Sequence, residues 1–260
     1  MRLYSLVEMA VHKSNTKRFI ELDVLRGFAI VGMIFLHVLW DLDYFGLVPL
    51  DMEIYRFSSS IPLLFFLLVG ICLAVGQAKR ENMSIEKQKE YQQHLILRGL
   101  KIFSLGMIFT TVTLIFMPGR PIIFGVLHFI GLSIILSVLL LKMKSYNVLF
   151  AIILILAGLV LGEFVVESPT AIHLAIGLHQ ASVWKYTIDY FPLVPWFGFV
   201  LLGIAIGNVL YCGNERRFNI PSLSKYKPVA VVSWLGRHSL AIYILHQPII
   251  AGVLFVFVNF

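Results

Sequence analysis

The run from Leu22 to Tyr44, LDVLRGFAIVGMIFLHVLWDLDY, places Asp23, Arg26, His37 and Asp41 in a stretch apolar and long enough to cross a bilayer. Ionisable groups at that depth are expensive in lipid, so such a chain must turn them away from acyl chains. Their spacing shows how. Arg26 and His37 are 11 residues apart, which is three helical turns plus about 20°, so both lie on one face. Asp23, Ile30, Met33 and Asp41 fall on the same stripe. Taken singly, Arg26 reads as an arginine snorkelling to the interface and His37 as a hydrogen-bonded histidine inside a bundle. Taken together, four polar groups on one stripe read as the wall of a cavity, with a charge near one side of the membrane and an imidazole about 16 Å further along.

The rest of the chain suits the same solvent. Of its 260 residues 59% are hydrophobic and 13% charged, where a soluble domain has about 25% charged. Spans are expected at Val24–Trp40, Ile61–Ala78, Leu95–Met117, Ile122–Leu141, Asn147–Val166, Leu193–Tyr211 and Val229–Val258. The fold class is therefore an all-α polytopic membrane protein, a single bundle of about seven transmembrane helices. With the N-terminus inside, Arg56, Arg120 and Lys185 fall outside and the other 18 of the 21 basic residues inside. That bias marks an N-in, C-out chain. The net charge of +7 is then an orientation signal, and a nucleic-acid partner is rejected. No polar linker separates two units, so residues 1–260 read as one domain, with 1–19 a cytoplasmic tail or a short interfacial helix. No cleavable signal peptide is evident, so the first span is expected to double as the insertion signal. The expected location is the plasma membrane of a prokaryote, and a homodimer is left open. Cys72 and Cys212 have neither disulfide nor metal-ligand spacing, and no metal is expected.

Several other positions carry chemistry. Asp41, four residues past His37, is close enough to hold one ring nitrogen and raise its basicity, which suits a general base or a nucleophile. Ser58, Ser59, Ser60 and Pro62 read as a helix start. Arg98 and Lys101 project from the inner end of the third span, at the depth of Arg26 and Arg237; four cations at one rim suit a nucleotide or pyrophosphate. His128 falls in the outer half of the fourth span, where a site role and a structural hydrogen bond are both open. Glu163–Phe191 is the longest outer segment, with a short interfacial helix expected within 170–180. Ser239, Tyr243 and His246 share a face of the last span, and Pro248 frees the carbonyl of Ile244. The 30 residues of Val229–Val258 are too long for one crossing, so the membrane portion is expected to start near Arg237.

The run LDVLRGFAIVGMIFLH, with Arg26, ten residues and then His37, resembles the opening helix of the transmembrane acyltransferase superfamily. Within it, FGVLHFIG, PWFGFVLLGIAIG and LGRHSLAIYILHQPII resemble the heparan-α-glucosaminide N-acetyltransferase catalytic-domain family, from about residue 18 onward. The resemblance implies transfer of an acetyl group from cytosolic acetyl-CoA, as co-substrate, to an acceptor beyond the membrane, often a sugar. It implies His37 as the catalytic histidine and Arg26 on the CoA side. In that chemistry the phosphates are expected on Arg26, Arg98, Lys101 and Arg237, with Asp41 orienting His37. Asp23, His128, Ser239, Tyr243 and His246 are candidates for substrate or oxyanion contact. A proton-coupled small-molecule transporter would also carry His, Asp and Arg inside spans, and a non-catalytic scaffold would explain the glycines.

Overall fold

The computed structural model describes residues 18–49, 51, 54, 60–212, 215–221 and 226–259. The amphipathic run at 1–17, the serines at 58 and 59, Glu53, Arg56 and Lys225 lie outside the described residues. The described helices are α1 (Ile20–Tyr44), α2 (Ser60–Ala78), α3 (Ile85–Phe116), α4 (Val126–Leu140), α5 (Asn147–Leu161), α6 (Ala171–Ile176), α7 (Leu193–Leu210), α8 (Lys227–Arg237) and α9 (Ser239–Asn259). The strands β1 (Tyr211–Cys212) and β2 (Glu215–Arg216) form a two-stranded antiparallel hairpin. The packing is dominated by the pairs α2–α7, α3–α4, α5–α7 and α1–α8.

Six helical stretches are long and apolar enough to cross a membrane, and the fourth of them is Val126–Leu161, which contains both α4 and α5. That stretch is a hairpin. Its ends meet the 163–195 segment: the Val126 amide donates to Asp189 Oδ2 at 3.0 Å, and a side chain at Gly158 would abut Pro195. Its middle lies elsewhere, where Lys144 pairs with Glu81 after the end of α2. The reversal passes through Lys144 at φ 45°. Buried Asn147 donates to the carbonyls of Leu140 and Lys144, both at 3.1 Å, and so satisfies groups that the broken helix leaves open. With α4 and α5 counted apart, the described residues place a helix in each of the seven expected spans, the last of them divided into α8 and α9.

The last two helices were expected to form one continuous apolar run with its membrane portion starting near Arg237, and the break falls there. α8 ends at Arg237 and α9 begins at Ser239. α9 runs on through Pro248. α8 and α9 lie along α1 in register: Arg26 Nη1 donates to the Gly236 carbonyl at 3.3 Å, the His37 and His246 rings meet, and Gln247 donates to Asp41. The tie points occur in the same order on both segments, so the two run parallel. Close approach at the first of them needs glycine: a Cβ at Gly236 would overlap the Asp23 carbonyl, and one at Gly27 the Val232 carbonyl.

The segment between α5 and α7 folds over the His37 end of the bundle. Thr170 caps α6, accepting from the His173 amide, which realises the short helix expected there. Phe191 donates its amide to Phe124 at 2.8 Å, Tyr190 its hydroxyl to Leu174 at 2.8 Å, and Arg120 bonds the Trp184 carbonyl at 3.0 Å. Beneath them Asp189 is partly buried, and its desolvation pushes the carboxyl pKa up to about 6, opposed by the Val126 amide that it accepts.

Two outcomes test this packing. Gly236→Val should lower thermal stability in detergent by about 1–3 kcal/mol, whereas Gly252→Ala on α9, with open space around it, should be neutral. Asp189 has a folded pKa above its ordinary value, so its contribution is fully present below about pH 4 and is lost as pH rises through about 6. Asp189→Asn keeps an acceptor for Val126 and should raise the unfolding free energy at pH 8 by up to about 3 kcal/mol, seen as a higher melting temperature, and leave it unchanged at pH 4.

Candidate active site

α1 turns its polar stripe inward. Asp23, Ile30 and Met33 are buried, while Leu25, Phe28, Val31 and Phe35 on the opposite side are exposed. The stripe therefore separates into an Arg26 end and a His37 end, each completed by other helices.

At the His37 end the imidazoles of His37 on α1 and His246 on α9 face one another, with ring centroids 4.8 Å apart and planes at 59°. Trp40 lies edge-on to His37 at 6.2 Å, and Tyr243 lies 5.5 Å from His246. The expected Asp41–His37 hydrogen bond is replaced by another. Both Asp41 oxygens accept from Gln247 Nε2, at 2.9 and 3.0 Å. A side chain four residues along a helix can be drawn to a neighbouring helix when that helix offers a donor, and here Gln247 does. Asp41 thus fixes α9 against α1 and acts on the histidine pair through that helix. Gln247 carried no signal of its own beyond its place next to His246.

The hydrogen atoms at His246 follow from its partners. Nδ1 lies 2.6 Å from the Tyr243 carbonyl, which can only accept, so Nδ1 carries the proton. In the neutral ring Nε2 then holds a lone pair, and that atom is buried with no hydrogen-bond partner among the described residues. Tyr243 packs against the central apolar cluster, within reach of the charge on Asp189.

His128 is used up by the fold. Its Nδ1 accepts from the Gly125 amide at 3.2 Å, so the neutral ring carries its proton on Nε2, which donates to Thr110 Oγ1 at 3.3 Å. Thr110 passes its own proton to the Ile122 carbonyl at 2.7 Å. The ring is sandwiched between Phe103 and Phe124. Of the two readings open for His128, the hydrogen bonds favour the structural one.

At the Arg26 end the basic residues gather. Buried Asp23 pairs with both Arg18 and Arg26, and Arg26 also reaches α8 at Gly236. The charges of Arg26 and Arg98 both act on Cys72, which brings α1, α2 and α3 to one neighbourhood. Arg80 stacks on Tyr91 at 4.0 Å and donates to the Gly76 carbonyl at 2.9 Å. Lys79 lies over the Phe19 ring at 5.6 Å. Burial, with Arg80 and Arg18 alongside, pushes the Lys79 ammonium pKa down. Arg237 is exposed beside this rim, bonded to Ser233 at 3.5 Å. Arg18, Lys79, Arg80 and Tyr91 were missed from the sequence, where the basic ones counted only as inside charges.

Two expected site residues stand apart. Lys101 is exposed in a groove with Leu97, Leu100, Ser104, Leu105 and Ile108, whereas α3 packs through Leu95, Gly99, Ile102 and Gly106 on its other side. Arg98, also exposed and about 60° from Lys101 around α3, borders that packed stripe more closely. Ser239 opens α9 next to Arg237, about 10 Å below His246 along the helix. Between the two ends, Ile30 and Met33 fill the face of α1, so the expected cavity wall is packed at its middle. No group of three or more metal-ligating side chains occurs among the described residues.

A family model described as heparan-alpha-glucosaminide N-acetyltransferase, catalytic, matches residues 18–248, a stretch that contains the α1 stripe, the rim and both histidines. No curated protein and no solved structure matches the chain. The match spans most of the 260 residues, and the chain belongs to the heparan-alpha-glucosaminide N-acetyltransferase catalytic-domain family of transmembrane acyltransferases.

Proposed function

We propose that this protein moves an acetyl group from cytosolic acetyl-CoA to an amine or hydroxyl acceptor, a sugar by class, on the far side of a prokaryotic plasma membrane. The observation that carries the reading is the single face of α1: a cluster of cations at one end, and a pair of facing imidazoles about 16 Å away at the other. The rim is chemically suited to phosphates, because guanidinium groups bind them in pairs and strongly. Arg26, Arg80 and Arg98, with Lys79, would hold the nucleotide end; Arg237 stands beside them. The pantetheine arm is of the right order to span the distance to His37, and it would run along Ile30 and Met33, whose side chains must move aside. His37 is the residue at which the acetyl group changes hands, as the family resemblance implies. It either takes the acceptor's proton or takes the acetyl group itself. The whole chain acts as one transmembrane domain, oriented with its N-terminus and the rim inside.

Three variants of purified protein in detergent test this reading, with acetyl-CoA as donor and D-glucosamine as the acceptor probe. Arg80→Ala and Arg98→Ala should each weaken CoA binding about 10- to 100-fold, the cost of a charge-assisted contact. Met33→Trp should leave CoA binding at the rim intact and abolish acetyl transfer, because it plugs the route. His37→Gln should bind CoA normally and lose about 10²–10⁴ in turnover. Unchanged CoA binding in both arginine variants, or full transfer in Met33→Trp, would refute the route.

A further inference from the structure

The family resemblance and the position of His37 leave one requirement of acyl transfer unassigned. When the acceptor oxygen or nitrogen bonds to the acetyl carbon, its O–H or N–H proton must go to a base. We infer that His246 is that base, receiving the proton at Nε2. The inference rests on the acetyl-transfer reading above.

Three observations support it. The 2.6 Å contact of Nδ1 with the Tyr243 carbonyl holds the ring in the tautomer whose Nε2 has a lone pair, a fixed acceptor rather than a donor. That excludes the other role open to His246, donation to an oxyanion from Nε2 of the neutral ring. Nε2 is buried with no partner among the described residues, a state that costs free energy in a finished fold and is relieved by a substrate hydrogen. The ring also stands 4.8 Å from that of His37, so the two imidazoles are neighbours in one site. The arrangement is clamped from the next residue, since Gln247 ties α9 to Asp41 of α1. The titratable groups around His246 are His37 and Asp41 on α1, and Tyr243 on its own helix with Asp189 beyond it. A carboxylate does not bond the His246 ring; its Nδ1–H goes to a backbone carbonyl.

The step balances by either route. The acceptor's oxygen or nitrogen forms its bond to the acetyl carbon and gives its proton to His246 Nε2. The bond from the acetyl carbon to the leaving atom breaks, whether that atom is the CoA sulfur or a ring nitrogen of His37. The leaving atom then takes the proton from His246, which returns to its starting tautomer. With His246 as the base, His37 is left to act at the acetyl group.

The test uses the full-length protein in detergent, acetyl-CoA as donor and D-glucosamine or water as acceptor, with release of CoA thiol as the readout. His246→Gln should keep acetyl-CoA binding and lose about 10²–10⁴ in kcat. In His246→Gly, free imidazole should restore turnover by at least about tenfold, which a packing role would not allow. Nitrogen-15 spectra of histidine-labelled protein should show a neutral Nδ1-protonated imidazole that disappears in His246→Gln. Turnover in His246→Gln equal to wild type, a CoA-binding His246→Gly that imidazole does not rescue, or a neutral His246 protonated on Nε2 would each overturn the assignment to His246 alone. A wild-type protein that neither binds acetyl-CoA nor releases thiol would instead overturn the acetyl-transfer reading on which it rests.

Discussion

The structure depends on how α1 carries charge through a medium that does not tolerate it. An ionised carboxylate such as Asp23 is kept at membrane depth only because Arg18 and Arg26 satisfy it together. That pairing fixes the position of Arg26, which in turn holds α8 through the Gly236 carbonyl. From there α9 inherits its register against α1, and His246 arrives opposite His37. The histidine pair is thus a consequence of an ion pair some three turns away. A smaller backbone-to-backbone distance at Gly27 and Gly236 makes the arrangement sterically possible.

The two ends of the stripe solve different problems. At the rim, Asp23 pairs with the charges of Arg18 and Arg26. At the other end the tautomers of the histidines matter as well. Backbone carbonyls and amides set them: the Tyr243 carbonyl for His246 and the Gly125 amide for His128. The two bonds have opposite effects. One leaves an imidazole lone pair buried with no donor among the described residues, and the other occupies Nδ1 of His128 at the start of α4 while Nε2 is taken by Thr110 of α3. Two histidines that look alike in a list of intramembrane residues therefore differ in what they offer a substrate.

Much of this was legible in the sequence because membranes make hydrophobic length and helical spacing decisive. The spans, the inward stripe of α1, a last membrane crossing that begins near Arg237 and the short helix near residue 170 all follow from those two signals. What the sequence could not show is which partner wins when two are in range. Asp41 is near His37 along the helix but is taken by Gln247 from another helix. Arg98 and Lys101 are three residues apart and both exposed, but Arg98 borders the packed stripe of α3 more closely than Lys101 does. Arg80 lies in the turn after α2 and Tyr91 on α3, and only the fold stacks them. The packed middle at Ile30 and Met33 was likewise hidden, since apolar residues on a polar stripe fit an open wall and a plug equally well.

The claim that joins these parts is that one face of α1 carries a single substrate from rim to histidines. It is tested most directly by an experimental structure of the protein with acetyl-CoA bound. The account predicts phosphate density among Arg26, Arg80 and Arg98, Met33 displaced from its packed position, and the acetyl carbonyl within hydrogen-bonding distance of the His37 ring. Acetyl-CoA seated elsewhere, or bound at the rim with its acetyl group turned away from His37 and Met33 unmoved, would contradict it.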